Sequence, residues 1–314
     1  MLPIELLEII FQLACDDDGL TARSIAFTSW TFYSCSIPLI YRNIAIYRAH
    51  QLERLLGCVR STPRYASFIK NAFIAETATN IDGPKFQQTL NSLLKLISPT
   101  LLSLTLFLDT QSTPTSGIFQ TVFDTSFPLL TSLMLCGDHT IPHSLDMPAL
   151  RRFHSAGLTK HNAASCFAPL TKYCPHLSHI RISMASQHNL TFAISAAFDL
   201  PGAPTNPERM CLDSILAPGE YDPPPFPSLP QGLISLIVKP AAPPMAVFPG
   251  CTSMFYSQYI KQLHDLKPRC PSGKFRLLPA FKRNSWEVEG YDLSQAKNDW
   301  LGAIQGRTSA WSTT

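Results

Sequence analysis

Apolar residues along this chain follow two rhythms. Stretches with apolar positions three and four apart predict amphipathic helices, and short stretches that alternate apolar with polar predict strands. The helical rhythm opens the chain. Leu2, Leu6, Ile9, Ile10 and Leu13 recur at helical spacing, with Pro3 at a first-turn position where its missing N–H is tolerated. After Asp16, Asp17, Asp18 and Gly19 comes a second apolar set, Leu20, Ile25, Phe27, Trp30 and Phe32, and Pro38 is expected to stop or redirect the chain beyond it. Later helical stripes are Leu52, Leu55, Leu56 and Val59; Phe86, Leu90, Leu93, Leu94 and Ile97; and Phe255, Tyr259, Leu263 and Leu266, ending before Pro268.

Between these helices a strand phrase recurs, an apolar residue followed by others three and five places on. It reads Ile69-x-x-Ala72-x-Ile74, Leu101-x-x-Leu104-x-Leu106, Leu130-x-x-Leu133-x-Leu135 and Leu150-x-x-Phe153-x-Ser155. It continues as Leu177-x-x-Ile180-x-Ile182, Leu212-x-x-Ile215-x-Ala217, Leu233-x-x-Leu236-x-Val238 and Phe275-x-x-Leu278-x-Ala280. Pro99, Pro128, Pro148 and Pro175 each stand two residues before a first position. Intervals between first positions run from 20 (Leu130 to Leu150) to 42 (Leu233 to Phe275), most of them near the roughly 20–29 of leucine-rich repeats. Each phrase would bury alternate side chains against a helix, and neighbouring units would close the core between them.

The expected fold class is α/β. A small all-helical module at 1–46 and a connecting strand and helix at 47–68 lead into divergent repeats at 69–280. These form an irregular solenoid with parallel strands on its concave face and helices on its convex face. Residues 281–314 are a cap and tail, poorly specified by pattern, with Thr308–Thr314 loose. The proline-rich stretch from Pro218 to Pro230 suits neither helix nor central strand and is expected as a projecting loop.

A unit as small as residues 1–46 buries little apolar surface. Below roughly 70–80 residues a single core supplies only about 3–5 kcal/mol, so such units lean on a neighbour or a partner. These residues resemble the F-box, in the opening Leu2-Pro3-Ile4-Glu5-Leu6-Leu7-Glu8-Ile9-Ile10, the middle from Ser24 to Phe32, and the close Pro38-Leu39-Ile40-Tyr41-Arg42-Asn43-Ile44. Tyr41 stands where many members have Trp. The line Tyr173-Cys174-Pro175-His176-Leu177-Ser178-His179-Ile180-Arg181-Ile182 is similar to the Cys-Pro-x-Leu-x-x-Leu-x-Leu phrase of F-box/leucine-rich-repeat proteins, and Cys270-Pro271 echoes it. Both features together resemble a divergent fungal group of that family.

The resemblance implies the substrate-recognition subunit of an SCF-type cullin ubiquitin ligase. Leu2, Pro3, Leu6, Ile9, Ile10, Leu20, Pro38, Leu39 and Tyr41 would bind a Skp-family adaptor, some of them serving the module's own core instead. A target protein would meet the non-repeating positions of the sheet, with Arg151, Arg152, His154, His176, His179 and Arg181 as candidates. Transfer of ubiquitin would belong to other subunits. The alternative is a leucine-rich-repeat scaffold without a ligase, its first helices serving as an end cap.

Composition narrows the remaining classes. With 45% hydrophobic and 15% charged residues, the chain reads as globular. Its formal charge of +3 gives no default for nucleic acid or an anionic membrane. Nine cysteines lack any Cys-x-x-Cys pair or zinc spacing and suit reduced thiols in the cytoplasm or nucleus. Glu5 and Glu8 interrupt the first apolar stretch, against a signal peptide, and no run of about 18 apolar residues predicts a span. The sequon Asn189-Leu190-Thr191 is therefore expected to be incidental.

No catalytic motif is present: no Gly-x-Ser-x-Gly elbow, no phosphate loop and no dinucleotide fingerprint. No cofactor or metal is expected. His139 and His143 are read as solvent-exposed, and Asp16–Asp18 as a solvated turn. An unrecognised hydrolase would need an enclosed pocket with Ser or Cys within hydrogen-bond reach of His.

Overall fold

A computed structural model describes residues 2–77, 82–108, 116–142, 144–157, 163–185, 189–201, 229–230, 232–244, 251–284 and 287–307. The phrase at Leu212–Ala217, His143, most of the Pro218–Pro230 stretch and Thr308–Thr314 lie outside the described residues. The fold is α/β. It divides into two compact units, Met1–Gly137 with Asp146–Leu150 and Tyr291–Thr314, and Asp138–Leu145 with Arg151–Gly290.

The first unit opens with three helices, α1 (Ile4–Ala14), α2 (Leu20–Ala26) and α3 (Trp30–Arg42). Pro38 does not stop the chain, because α3 runs through it to Arg42. A helix-interior proline costs about 3 kcal/mol in isolation. Burial of Cys35 and Leu39 on the inner side of α3 offsets that here. The break falls earlier, at Phe27 and Thr28, where Ser29 caps α3 by accepting the Phe32 N–H at 3.1 Å.

Strand β1 (Asn43–Ile46) follows α3 without a gap, then α4 (Ala49–Ser61), α5 (Arg64–Phe68), β2 (Asn71–Glu76), α6 (Gly83–Ile97), β3 (Ser103–Leu108), α7 (Ser116–Phe123) and β4 (Ser132–Cys136). The four strands pair in parallel and in chain order, with Ile44, Ala72, Leu104 and Leu133 in register. Register puts β1 in the series, so the phrase begins one unit sooner than expected, as Tyr41-x-x-Ile44-x-Ile46. The helical stripes behave as their spacing predicts: Leu52, Leu56 and Val59 of α4 are buried, as are Phe86, Leu90, Leu93, Leu94 and Ile97 of α6. The corner before each strand is tied to the previous one through the backbone. Lys70 N–H donates to Arg42 O at 3.0 Å, Leu102 N–H to Lys70 O at 2.7 Å, and Thr131 N–H to Leu102 O at 2.8 Å.

The second unit carries β5 (Arg152–Ala156), α8 (Ala163–Tyr173), β6 (His179–Ala185), α9 (Asn189–Ala197), β7 (Ser235–Pro240), α10 (Cys251–Leu266) and β8 (Phe275–Leu277). A two-residue antiparallel pair, β9 (Arg283–Asn284) and β10 (Glu287–Val288), follows. Strands β5 to β8 are parallel in chain order, with Phe153, Ile180, Leu236 and Phe275 in register. That register corrects the last phrase. Phe275 takes the middle position and Leu277 the third, because Phe275 is the buried residue that alternates with Leu277 across β8, and Leu278 and Ala280 lie beyond the strand. A β-bulge between Ser183 and Ala185 places Met184 at φ +58°, a conformation that costs a non-glycine residue.

The chain then returns to the first unit as α11 (Leu293–Ile304), which packs on β2 and β3. Asp292 caps it, accepting the Gln295 N–H at 2.7 Å. Trp300 is 1% exposed and its ring lies 5.5 Å from that of Phe73, itself 5.8 Å from Tyr47. Phe73 alternates with Ala72 and Ile74, so α11 covers the strand face opposite the phrase positions. A tail expected to be poorly specified supplies a central piece of the first unit's core.

Candidate functional site

Helix α1 carries two apolar stripes. Leu7, Phe11 and Cys15, four apart, face inward and join Ala22, Cys35 and Leu39 in a small core, with Ile25, Phe32 and Ile40 packed against it. The Phe11 and Phe32 rings meet edge to face at 5.1 Å. The other stripe, Leu2, Leu6, Ile9, Ile10 and Leu13, faces out, set apart from the inner one by the exposed Glu5, Glu8 and Gln12. Among the described residues, ten exposed large apolar side chains lie between Leu2 and Tyr33, against five in all the rest. Single exposed leucines need no explanation, but a contiguous group does. This is the candidate docking face.

Of the residues the resemblance pointed to, Leu2, Pro3, Leu6, Ile9, Ile10, Leu20 and Pro38 are exposed. Leu39 and Tyr41 are not on the outer face, which corrects their assignment. Leu39 belongs to the inner core because it falls on the side of α3 that meets α1. The Tyr41 ring stacks on Tyr65 at 4.4 Å and its hydroxyl lies 3.2 Å from Cys58 Sγ. Burial, then the Cys58 contact, push the Tyr41 pKa up. Five exposed residues were missed as candidates: Ile4, Leu13, Phe27, Trp30 and Tyr33. Phe27 is 91% exposed, and Trp30 stacks on Tyr33 at 5.4 Å. The signal was present in the sequence, since Phe27 and Trp30 flank a helix break where no inner stripe can absorb both.

The turn at Asp16–Asp18 is bonded rather than merely solvated. Asp17 accepts the N–H groups of Gly19 and Thr21, each at 2.9 Å, and its carbonyl accepts the Asn43 amide at 2.8 Å. Asp18 pairs with Lys297 at 2.8 Å, and Gln305 donates to Asp16 O at 3.2 Å. Burial works against the Lys297 charge, but its bonds to Asp18 and Tyr47 prevail and its pKa is raised. The three helices are thus fastened to β1 and to α11.

The residues expected to meet a target lie on or beside β5 and β6. Arg151 and His176 are exposed, Arg152 and His179 half-buried, and His154 and Arg181 buried. The last two therefore offer little surface, because they sit mid-strand on a covered part of the sheet. His154 Nε2 lies 2.9 Å from Ser183 Oγ. Burial, with Arg181 alongside, holds the His154 pKa well below the usual histidine range. Burial, then Arg152 and Arg276, lower that of His179.

His139 is likewise not the exposed residue expected. It is 2% exposed, with Nε2 3.2 Å from Ser155 Oγ. Neither Ser–His contact presents a nucleophile, since Ser155 and Ser183 are both 0% exposed and a substrate has no approach to them. Among the described residues no group of three His, Cys, Asp or Glu side chains could hold a metal, and Cys15, Cys35, Cys58, Cys174 and Cys270 are not in disulfides. Burial pushes the Cys174 thiol up to about 12 and, against the opposing Arg269 charge, the Cys270 thiol up to about 11. Thiols so raised are poor nucleophiles. No described helix is long and apolar enough to cross a membrane.

No family model, curated protein or solved structure matches this chain. What the molecule itself defines is an α/β protein with parallel strands in chain order and a helical N-terminal segment whose outer face is apolar.

Proposed function

We propose that this protein recruits substrates to an SCF-type cullin ubiquitin ligase. Its N-terminal helices bind a Skp-family adaptor as an F-box does, and its strand-and-helix units act as divergent leucine-rich repeats that hold a target. The observation that carries this reading is the second apolar stripe of α1, left exposed together with Leu20, Phe27 and Trp30 after the inner core is complete. A fully buried Leu or Ile contributes about 1.5–3 kcal/mol, so a partner covering several of these residues gains enough for stable docking. The adaptor links the receptor to the cullin scaffold, ubiquitin chemistry takes place elsewhere in the complex, and the site of action is the cytoplasm or nucleus.

The test is co-purification of the intact chain with a Skp-family adaptor. Capture comparable to that of a known F-box protein, lost in Leu6→Asp/Ile10→Asp, supports the reading; no capture by the intact chain contradicts it. A scaffold without a ligase, its helices acting only as an end cap, draws support from the bonds of the Asp16–Asp18 turn to Asn43, Lys297 and Gln305. An end cap has a polar outer face, however, and this one is apolar.

A further inference from the structure

The strands of the second unit carry six basic or histidine side chains and no carboxylate: Arg152 and His154 on β5, His179 and Arg181 on β6, Lys239 on β7 and Arg276 on β8. All six alternate with the buried phrase positions Phe153, Ile180, Ile182, Leu236, Val238 and Phe275, so all six lie on one face of the sheet. Register brings them close. Arg152 pairs with His179, His154 with Arg181, and Arg181 and Arg276 are both in register with Ile237. Chance does not readily put every titratable residue of four strands on one face with no carboxylate among them. The matching face of β1 to β4 is uncharged, formed by Asn43, Asn71, Phe73, Thr105, Met134 and their neighbours.

We infer that the accessible part of this face, at Arg152, His179, Lys239 and Arg276, is where the proposed receptor takes its target, His154 and Arg181 being buried beneath, and that the segment it takes is acidic: an extended peptide stretch bearing several Asp or Glu side chains. The inference rests on the receptor reading and names the target's chemistry. The spread of the charge supports it. Arg152, His179 and Arg276 are half-buried, as is Lys239, whose ammonium lies 3.8 Å above the Phe281 ring. Four strands about 4.8 Å apart distribute these groups over about 14 Å. A strip of that length matches carboxylates spaced along a chain, whereas one compact anion would meet only the cations around His179. The lowered pKa of His179, after burial, traces to Arg152 and Arg276, which places both positive charges beside it. Such a surface selects partners by charge complementarity and speeds encounter.

The experiment is fluorescence anisotropy of the intact chain with a labelled peptide of alternating Glu and Gly. A Lys/Gly counterpart and an otherwise neutral peptide bearing one phosphoserine serve as comparison arms. The Glu peptide is expected to bind best, less tightly as salt rises, and about tenfold or more weakly in Arg152→Gln/Arg276→Gln. Arg60→Gln/Lys95→Gln, on exposed positions of α4 and α6, is expected to leave binding unchanged. Thermal unfolding of Arg152→Gln/Arg276→Gln close to that of the original chain ensures that lost binding is not lost folding.

Absence of binding at low salt overturns the inference, as do equal losses in both double variants. A preference for the phosphoserine peptide overturns it too. Adaptor capture involves none of these residues and peptide binding involves no adaptor, so either proposal can fail alone.

Discussion

Leu6 and Leu7 are neighbours in sequence and face opposite ways, one 47% exposed and the other 7%. Truncating them should separate docking from folding. Leu7→Ala is expected to cost about 2–5 kcal/mol in urea unfolding, whereas Leu6→Ala should stay within about 0.5 kcal/mol and weaken adaptor capture instead. Equal stability losses would mean that Leu6 is already covered. The sequence supplied the apolar set but not its division. A helix apolar at 2, 6, 9, 10 and 13 and again at 7, 11 and 15 admits either stripe as the inner one. Only the partners Cys35 and Leu39, on α3, decide it.

His154 and His179 add a pH dependence. Both are held below the ordinary histidine value, so near and below about pH 6.5 the unfolded chain binds protons that the folded chain refuses. Their contribution to stability is present above that value and is lost as pH falls through it. Unfolding free energy should therefore drop between about pH 7.5 and about pH 5. His154→Gln should make the drop smaller; an unchanged slope in that variant would refute the neutral, buried state of His154.

At the scale of the element, the helical stripes and strand phrases were legible because each obeys one period over several residues. Three features were not. The passage of α3 through Pro38 is a tertiary override of local chemistry. The three-residue shift of the last phrase arose because Leu278 and Ala280 imitate the pattern that Phe275 and Leu277 fulfil. Helix α11 was invisible because its apolar signal is thin. Ala296 and Trp300 sit among Ser294, Gln295, Lys297 and Asn298, and what fixes the helix is the fit of Trp300 against Phe73.

Trp300→Ala should accordingly cost about 3–5 kcal/mol in urea unfolding. Lys297→Gln, which removes a partly exposed ion pair, should cost about 1 kcal/mol or less. A stable chain after Trp300→Ala would mean that α11 is an ornament of the first unit and not part of its core.

At the scale of the molecule, each unit repeats one scheme, parallel strands in chain order with apolar phrase positions buried on one face, and that scheme was readable from spacing alone. What differs is the other face. In the first unit α11 covers it, and in the second it is basic. The sequence showed the basic residues one by one, but their common face emerges only when register aligns Arg152 with His179 and His154 with Arg181. The candidates for target recognition were thus partly legible, with Lys239 missed because it stands just past the end of its phrase and Arg276 because the last phrase is shifted by three residues.

The account depends on an apolar face on the N-terminal helices that a second polypeptide completes. Hydroxyl-radical footprinting of the intact chain, with and without a Skp-family adaptor, addresses that face residue by residue. Side chains at Leu6, Ile9, Ile10, Phe27 and Trp30 are predicted to be modified readily in the free chain and to lose most of that reactivity in the complex, while buried Phe73 and Trp300 react little in both. Low reactivity of the same five side chains in the free chain, or no change when the adaptor is added, would contradict it.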